Sequence, residues 1–164
     1  MQRIDRRRAG LRAGDVSFSR APGELIGPEG GALAIIEDVV DFATALICAE
    51  AVGAMKFACD TTLEYLKTRK QFGVPIGTFH ALQHRMVDMC IATEQSRSIT
   101  YLACARIDSG GDAAERRRVI SAARVKIADA ARQVGQEAIQ LHGGMGMTIE
   151  MKVSHTFKRL TMIG

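Results

Sequence analysis

The sequence predicts an all-α protein, an up-and-down four-helix bundle behind a short N-terminal β or irregular segment, on three observations. Aromatic residues make up only 5% of the 164, Trp is absent, and Ala and Met are plentiful. That balance favours helices, because sheets draw on aromatic and β-branched side chains. Apolar residues recur at helical spacing through most of the chain after Gly31, and the breaks between these runs are short, which makes successive helices antiparallel neighbours. With 47% apolar and 24% charged residues the composition is that of a globular protein. The length suits one domain whose core stands without disulfides or metal.

The chain opens with Arg3, Arg6, Arg7, Arg8 and Arg12, which carry much of the net charge of +4. No recognition-helix pattern or RNA-stacking aromatic motif accompanies them, so they read as a solvated or interface segment, and no nucleic-acid partner is expected. The basic start is not followed by an apolar stretch with a cleavage site. A cytoplasmic protein without a membrane span is therefore expected. Residues 14–19 place Val16 and Phe18 on one face of a strand that Ala21, Pro22 and Gly23 break. One strand makes no sheet, so its partners lie before Met1 in a longer parent chain or it pairs poorly.

The first helix follows Gly30 and Gly31 and carries Ile36, Val39, Val40, Ala43, Leu46, Ile47, Ala51, Met55, Ala58, Leu63 and Leu66 at helical spacing, ending near Arg69. Gly53 inside it suits a close approach by another helix. A second helix begins after the loop at 72–78, with Leu82, Met86, Met89, Cys90, Thr93, Ile99, Leu102 and Ile107 on or beside its inward stripe, and stops at Ser109, Gly110, Gly111 and Asp112. The third runs from about Ala113 to Leu141 through Val119, Ala123, Ile127, Ala131, Val134 and Ala138, and His142, Gly143 and Gly144 end it. Thr148 is placed to cap a fourth, shorter helix from Ile149. Cys48, Cys59, Cys90 and Cys104 are 11, 31 and 14 positions apart with no Cys-x-x-Cys pair, which reads as buried free thiols and no metal site.

Two helix-to-loop junctions carry residue types suited to a ligand. At 69–73, Arg69, Gln71 and Phe72 combine a phosphate-pairing group, an amide and an aromatic ring within four positions. A helix end alone would account for the cations and for Gly73. At 140–146, Gln140 precedes Gly143, Gly144 and Gly146, and glycines let backbone N–H groups approach a ligand that a Cβ would block.

Together these segments, T-R-K-Q-F-G-V-P-I-G-T-F-H-A-L-Q-H-R-M-V-D-M and Q-L-H-G-G-M-G-M-T-I-E, resemble the signature segments of acyl-CoA dehydrogenases, and the similarity extends over nearly the whole chain. The resemblance implies that residues 1–27 are the remnant of a middle β-domain and its linker, with Asp15 to Phe18 at its last strand, and that residues 28–164 are the C-terminal four-helix domain. It implies FAD as cofactor, with Arg69, Gln71, Phe72, Gln140, Gly143 and Gly144 touching FAD held mainly by a neighbouring subunit. Asp41 matches a family Asp that helps hold the pantetheine arm of the acyl-CoA substrate. The implied partners are a homo-oligomer, a dimer or tetramer, or a homologous dehydrogenase subunit, and an electron acceptor such as electron-transfer flavoprotein.

The implied reaction removes the α-proton of an acyl-CoA thioester with a carboxylate while the β-hydrogen leaves as hydride to the flavin, in fatty acid metabolism. The usual base is a Glu-Gly a few residues beyond the segment matched by residues 157–161, past Gly164, and the other family location is occupied by Ala43. No catalytic residue is therefore expected within the chain, which alone would be inactive. Phe157, Lys158, Arg159, Leu160 and Thr161 stand where the family commonly has Arg-Asp-Ala, and so resemble a divergent branch with two-subunit enzymes in which one subunit lacks the base. A catalytically silent helical partner subunit or interaction module is the alternative. His80 and His84 share a helix face but have no third ligand. Glu50 lies roughly 10 Å along the helix from Ala43, and reads as a hydrogen-bonded or interface residue rather than a replacement base.

Overall fold

The computed structural model describes residues 6–8, 11–13 and 16–163. The chain divides into two compact units, Met1–Val39 and Val40–Gly164, and each is described by itself. In the first, β1 (Arg6–Arg8) pairs antiparallel with β2 (Leu11–Ala13), with Arg8 opposite Leu11. The strand expected at 14–19 is not found. Residues 16–18 have no regular structure and Val16 and Phe18 are exposed, while 14 and 15 lie outside the described residues.

Four helices follow: α1 (Ala32–Thr68), α2 (His80–Asp108), α3 (Ala113–His142) and α4 (Lys152–Ile163). Side-chain contacts fix their directions. Asp41 near the start of α1 pairs with Arg116 at the start of α3, and Tyr65 near the end of α1 stacks on His142 at the end of α3. Arg85 at the start of α2 pairs with Glu137 late in α3. A Cβ built on Gly135 of α3 would meet Phe157 and Leu160 of α4, the helix that follows it through a short turn. The order is the expected up-and-down alternation.

The buried face of α1 corrects the sequence reading. Ala51, Met55, Ala58 and Leu66 are in the core, but Ile36, Val39, Val40, Ala43, Leu46, Ile47 and Leu63 are exposed. The inward face is instead Asp41, Ala45, Cys48, Ala51, Met55, Ala58, Cys59, Thr62 and Leu66, stepping mostly by three and four. Small side chains seat this helix on its neighbours, and the larger apolar ones form a second face, so apolar periodicity alone misassigned which face is inward. Gly53 is corrected too: among the described residues a Cβ there meets nothing within 4 Å, so it marks no close helix approach.

Main-core residues from the other helices include Met86, Met89, Ile127, Ala131, Val134, Val153 and Leu160. Cys48 and Cys59 are buried and Cys104 is half-buried, whereas Cys90 of α2 is exposed, against expectation. Asp112 both follows the break after α2 and caps α3, accepting from the N–H groups of Ala114 at 3.2 Å and Glu115 at 3.3 Å. α4 begins at Lys152 rather than Ile149. Residues Gly143–Met147 form a 3-10 turn, and the Thr148 hydroxyl donates back to the Met145 carbonyl at 3.0 Å instead of capping forward.

Candidate functional site

The C-terminal ends of α1 and α3 lie at one end of the bundle, which brings the two glycine-bearing junctions to the same side. The Tyr65 and His142 rings stack with centroids 4.4 Å apart and planes at 27°. Tyr65 is one turn before Arg69, whose N–H donates to the Tyr65 carbonyl at 2.9 Å as the helix closes. Residues 72–78, expected as loop, are in part a tight hairpin. β3 (Lys70–Gln71) pairs with β4 (Val74–Pro75), and the Ile76 N–H donates to the Arg69 carbonyl at 2.8 Å. Gly77 lets this return path pass the helix, because a Cβ there would lie 2.9 Å from the Leu66 carbonyl oxygen.

The hairpin turn is Phe72-Gly73, with φ of 54° and 81°. Positive φ at both central positions is the type I′ requirement, normally met by Asn-Gly or Gly-Gly. A bulky aromatic at the first position is strained, and such strain concentrates at ligand clamps. Phe72 is 93% exposed, touched edge-on by Phe79 at 6.2 Å. The fold does not use this ring as core. Arg69 and Gln71 are exposed beside it, and the Gln71 amide donates to the Lys70 carbonyl at 2.6 Å.

The glycines after α3 divide by role. Gly143 has φ 60° and ψ −143°, near a region that side chains avoid. Gly146 is buried, and a Cβ on it would lie 2.7 Å from the Ile139 carbonyl oxygen and 3.0 Å from the His142 Cβ. Gly144 has neither reason: a Cβ there meets nothing within 4 Å. The Gly143 N–H is already given to the Gln140 carbonyl, so the space that the two glycines leave open would let a ligand approach the backbone at Gly144. Gln140, in the last turn of α3, is exposed next to them.

His142, which in the sequence marks only a helix stop, is 3% exposed and joins the two junctions. Its Nδ1–H donates to the Ala138 carbonyl at 2.8 Å, leaving Nε2 buried without a partner. Burial lowers the pKa of the imidazole, partly opposed by the Ala138 bond. Its folded pKa lies below the unfolded 6.5, so the stability it protects is present above that value and is lost as pH falls through the folded pKa. Melting temperature followed from pH 7 to pH 5 should therefore drop more for the native chain than for His142→Phe, which has no proton to bind; equal drops would show that the imidazole is not the acid-sensitive group.

An open groove of about 510 Å³ beside the hairpin is lined by Leu66, Lys67, Pro75, Gly77, Gln83 and Met86, among others. None of the six candidate cofactor residues lines it, so it is a neighbouring feature and not the candidate surface. Asp41 lies apart from all six. It is 28 residues before Arg69, about 42 Å along α1 at the rise of a helix, and its carboxylate accepts from Arg116 at 3.1 Å with both side chains largely buried. Glu50 is held by Arg159 through two bonds of 2.5 and 2.7 Å. That hydrogen bonding lowers its pKa despite some desolvation, the opposite of what a proton acceptor needs. His80 and His84 are exposed, and among the described residues no group of three His, Cys, Asp or Glu side chains is placed to hold a metal.

Residues 30–163 match the family described as acyl-CoA dehydrogenase, C-terminal domain, and the chain belongs to that family. An L-prolyl-[peptidyl-carrier protein] dehydrogenase of Serratia sp. (strain ATCC 39006) is 38% identical over 78% of this chain and 32% of its own length. Among solved structures, PigA with FAD and proline superposes with a TM-score of 0.77 at 35% identity, covering 84% of this chain and 35% of that one. A steroid acyl-CoA dehydrogenase, the Tcur3481-Tcur3483 G363A variant, gives 0.84 at 25% identity over 99% of this chain and 43% of its own. The chain spans about a third of the length of the curated relatives it matches. Relatives of this domain thus include FAD-binding proteins. Among the described residues no helix is long and apolar enough to cross a membrane.

Proposed function

We propose that the chain is the C-terminal helical part of an FAD-dependent acyl-CoA dehydrogenase and supplies flavin contacts across a subunit boundary. The observation that carries this reading is the Phe72-Gly73 turn, a strained and exposed aromatic held at the same bundle end as the open glycines 143 and 144. Arg69 would pair with a phosphate, Gln71 and Gln140 would donate amide N–H groups, and Phe72 would cover a flat part of the cofactor. The FAD would accept the β-hydrogen of the substrate as hydride. Asp41, about 42 Å away along α1, cannot serve the same bound molecule's pyrophosphate. One chain contributing to two sites supports the cross-subunit arrangement.

In that arrangement Asp41, oriented by Arg116, helps place the thioester arm, residues 1–27 end a β-domain, and the large apolar face of α1 is covered by the rest of the assembly. A homo-oligomer is the natural assembly, with electron-transfer flavoprotein as acceptor. The second reading is a silent subunit in a two-chain enzyme, favoured by Ala43 at one family base position and by the likeness to a dehydrogenase named for two gene products. Anaerobic addition of acyl-CoA thioesters to the purified parent separates the two. Bleaching of a bound flavin supports the dehydrogenase; retained FAD that never bleaches supports the silent subunit; a parent that neither contains nor takes up FAD sinks both.

A further inference from the structure

We infer that Cys59 of α1 and Cys90 of α2 form a reversible disulfide when the protein meets a low-molecular-weight disulfide, closing a covalent loop around the Phe72-Gly73 hairpin. The Cys59 sulfur lies 3.4 Å from the Thr93 hydroxyl oxygen, across the α1–α2 seam. Thr93 is one turn beyond Cys90 on the same helix, and residues so spaced have Cβ atoms about 5 to 6 Å apart. Cys59 also feels Cys90 nearby: its pKa is pushed up to about 11, first by burial and further by Cys90 and Asp60, with the Thr93 hydroxyl opposing. Cys90 is the exposed cysteine of the four and Cys59 is buried. An outer thiol to react and an inner thiol to resolve are the two parts a thiol–disulfide exchange requires.

In the first step the Cys90 thiolate attacks one sulfur of the oxidant, whose S–S bond breaks and releases one thiolate that takes up a proton. The Cys59 thiol then loses its proton to solvent and attacks the Cys90 sulfur, expelling the second small thiol. Two protein thiols are oxidised by two electrons, and one small disulfide is reduced to two thiols. The high Cys59 pKa makes the second step the slow one, so the mixed disulfide accumulates before it resolves. The bond joins the two helices that flank the hairpin and restricts the loop carrying Arg69, Gln71 and Phe72.

The test is incubation of the 164-residue chain with oxidised glutathione, an acid quench, and peptide mapping by mass spectrometry with and without dithiothreitol. A glutathionyl adduct on Cys90 is expected first, then a Cys59–Cys90-linked peptide lighter by two hydrogens and restored by dithiothreitol. The surface variant Cys90→Ser abolishes both species, and the linked chain melts roughly 5 to 10 °C higher than the reduced one. An unreacted Cys90, an adduct that never advances to the linked peptide, or linkage only between separate chains would overturn the inference.

Discussion

Replacing Arg69 by Ala is expected to lower the FAD affinity of the parent protein about ten- to hundredfold while leaving its melting temperature nearly unchanged. Arg69 directly follows α1 as an exposed residue, and among the described residues its guanidinium has no hydrogen-bond or ion-pair partner. Removing it costs the fold little, since surface substitutions away from caps and networks stay within about 0.5 kcal/mol. A charge-assisted bond to a phosphate contributes about 1.5 to 3 kcal/mol, and each 1.4 kcal/mol is a factor of ten. Arg69→Lys should recover only part of the loss, because an ammonium keeps the charge without the planar fork. Fluorescence titration of the apoprotein with FAD reads the effect directly. An affinity unchanged in Arg69→Ala removes that residue from the cofactor surface and leaves the hairpin without its anion-binding group.

Much of this arrangement was legible in the chain because its signals are local. Gly110, Gly111 and Asp112 mark a break, and helices α2 and α3 stop and start there within a residue of expectation. The Arg69 and Gln140 segments were found as residue types gathered at helix ends, a property of adjacent positions. What could not be read depends on partners distant in sequence. Periodicity on α1 counts apolar residues without knowing which neighbours are narrow enough to receive them. The face chosen by size, with Ile36, Val40 and Ile47, proved exposed, while Asp41, Ala45 and Thr62 are buried. The Tyr65–His142 stack joins positions 77 residues apart, and Arg116 meets Asp41 across 75. No local pattern announces either. The type I′ hairpin was hidden because Phe occupies a position where Asn or Gly is the usual signal.

The glycine turn after α3 yields a sharper test, since its two neighbouring glycines should fail in different ways. Gly146→Ala destabilises the domain by about 2 kcal/mol or more and lowers the melting temperature by roughly 5 °C. The added methyl would sit 2.7 Å from the Ile139 carbonyl oxygen and 3.2 Å from the Ile139 Cα, both backbone atoms of α3 that cannot swing aside. Relief requires moving the 3-10 turn, and with it His142, whose Cβ is 3.0 Å from the same point and whose ring rests on Tyr65. Gly144→Ala places its methyl in open space and should leave stability within about 0.5 kcal/mol. The bulkier Gly144→Val should still weaken FAD binding by filling the open space beside this backbone. Thermal melts and flavin titrations on the two positions therefore separate support of the turn from contact with the ligand. If Gly144→Val binds FAD as tightly as the native protein, the open space at this end of the bundle is not where the cofactor lies.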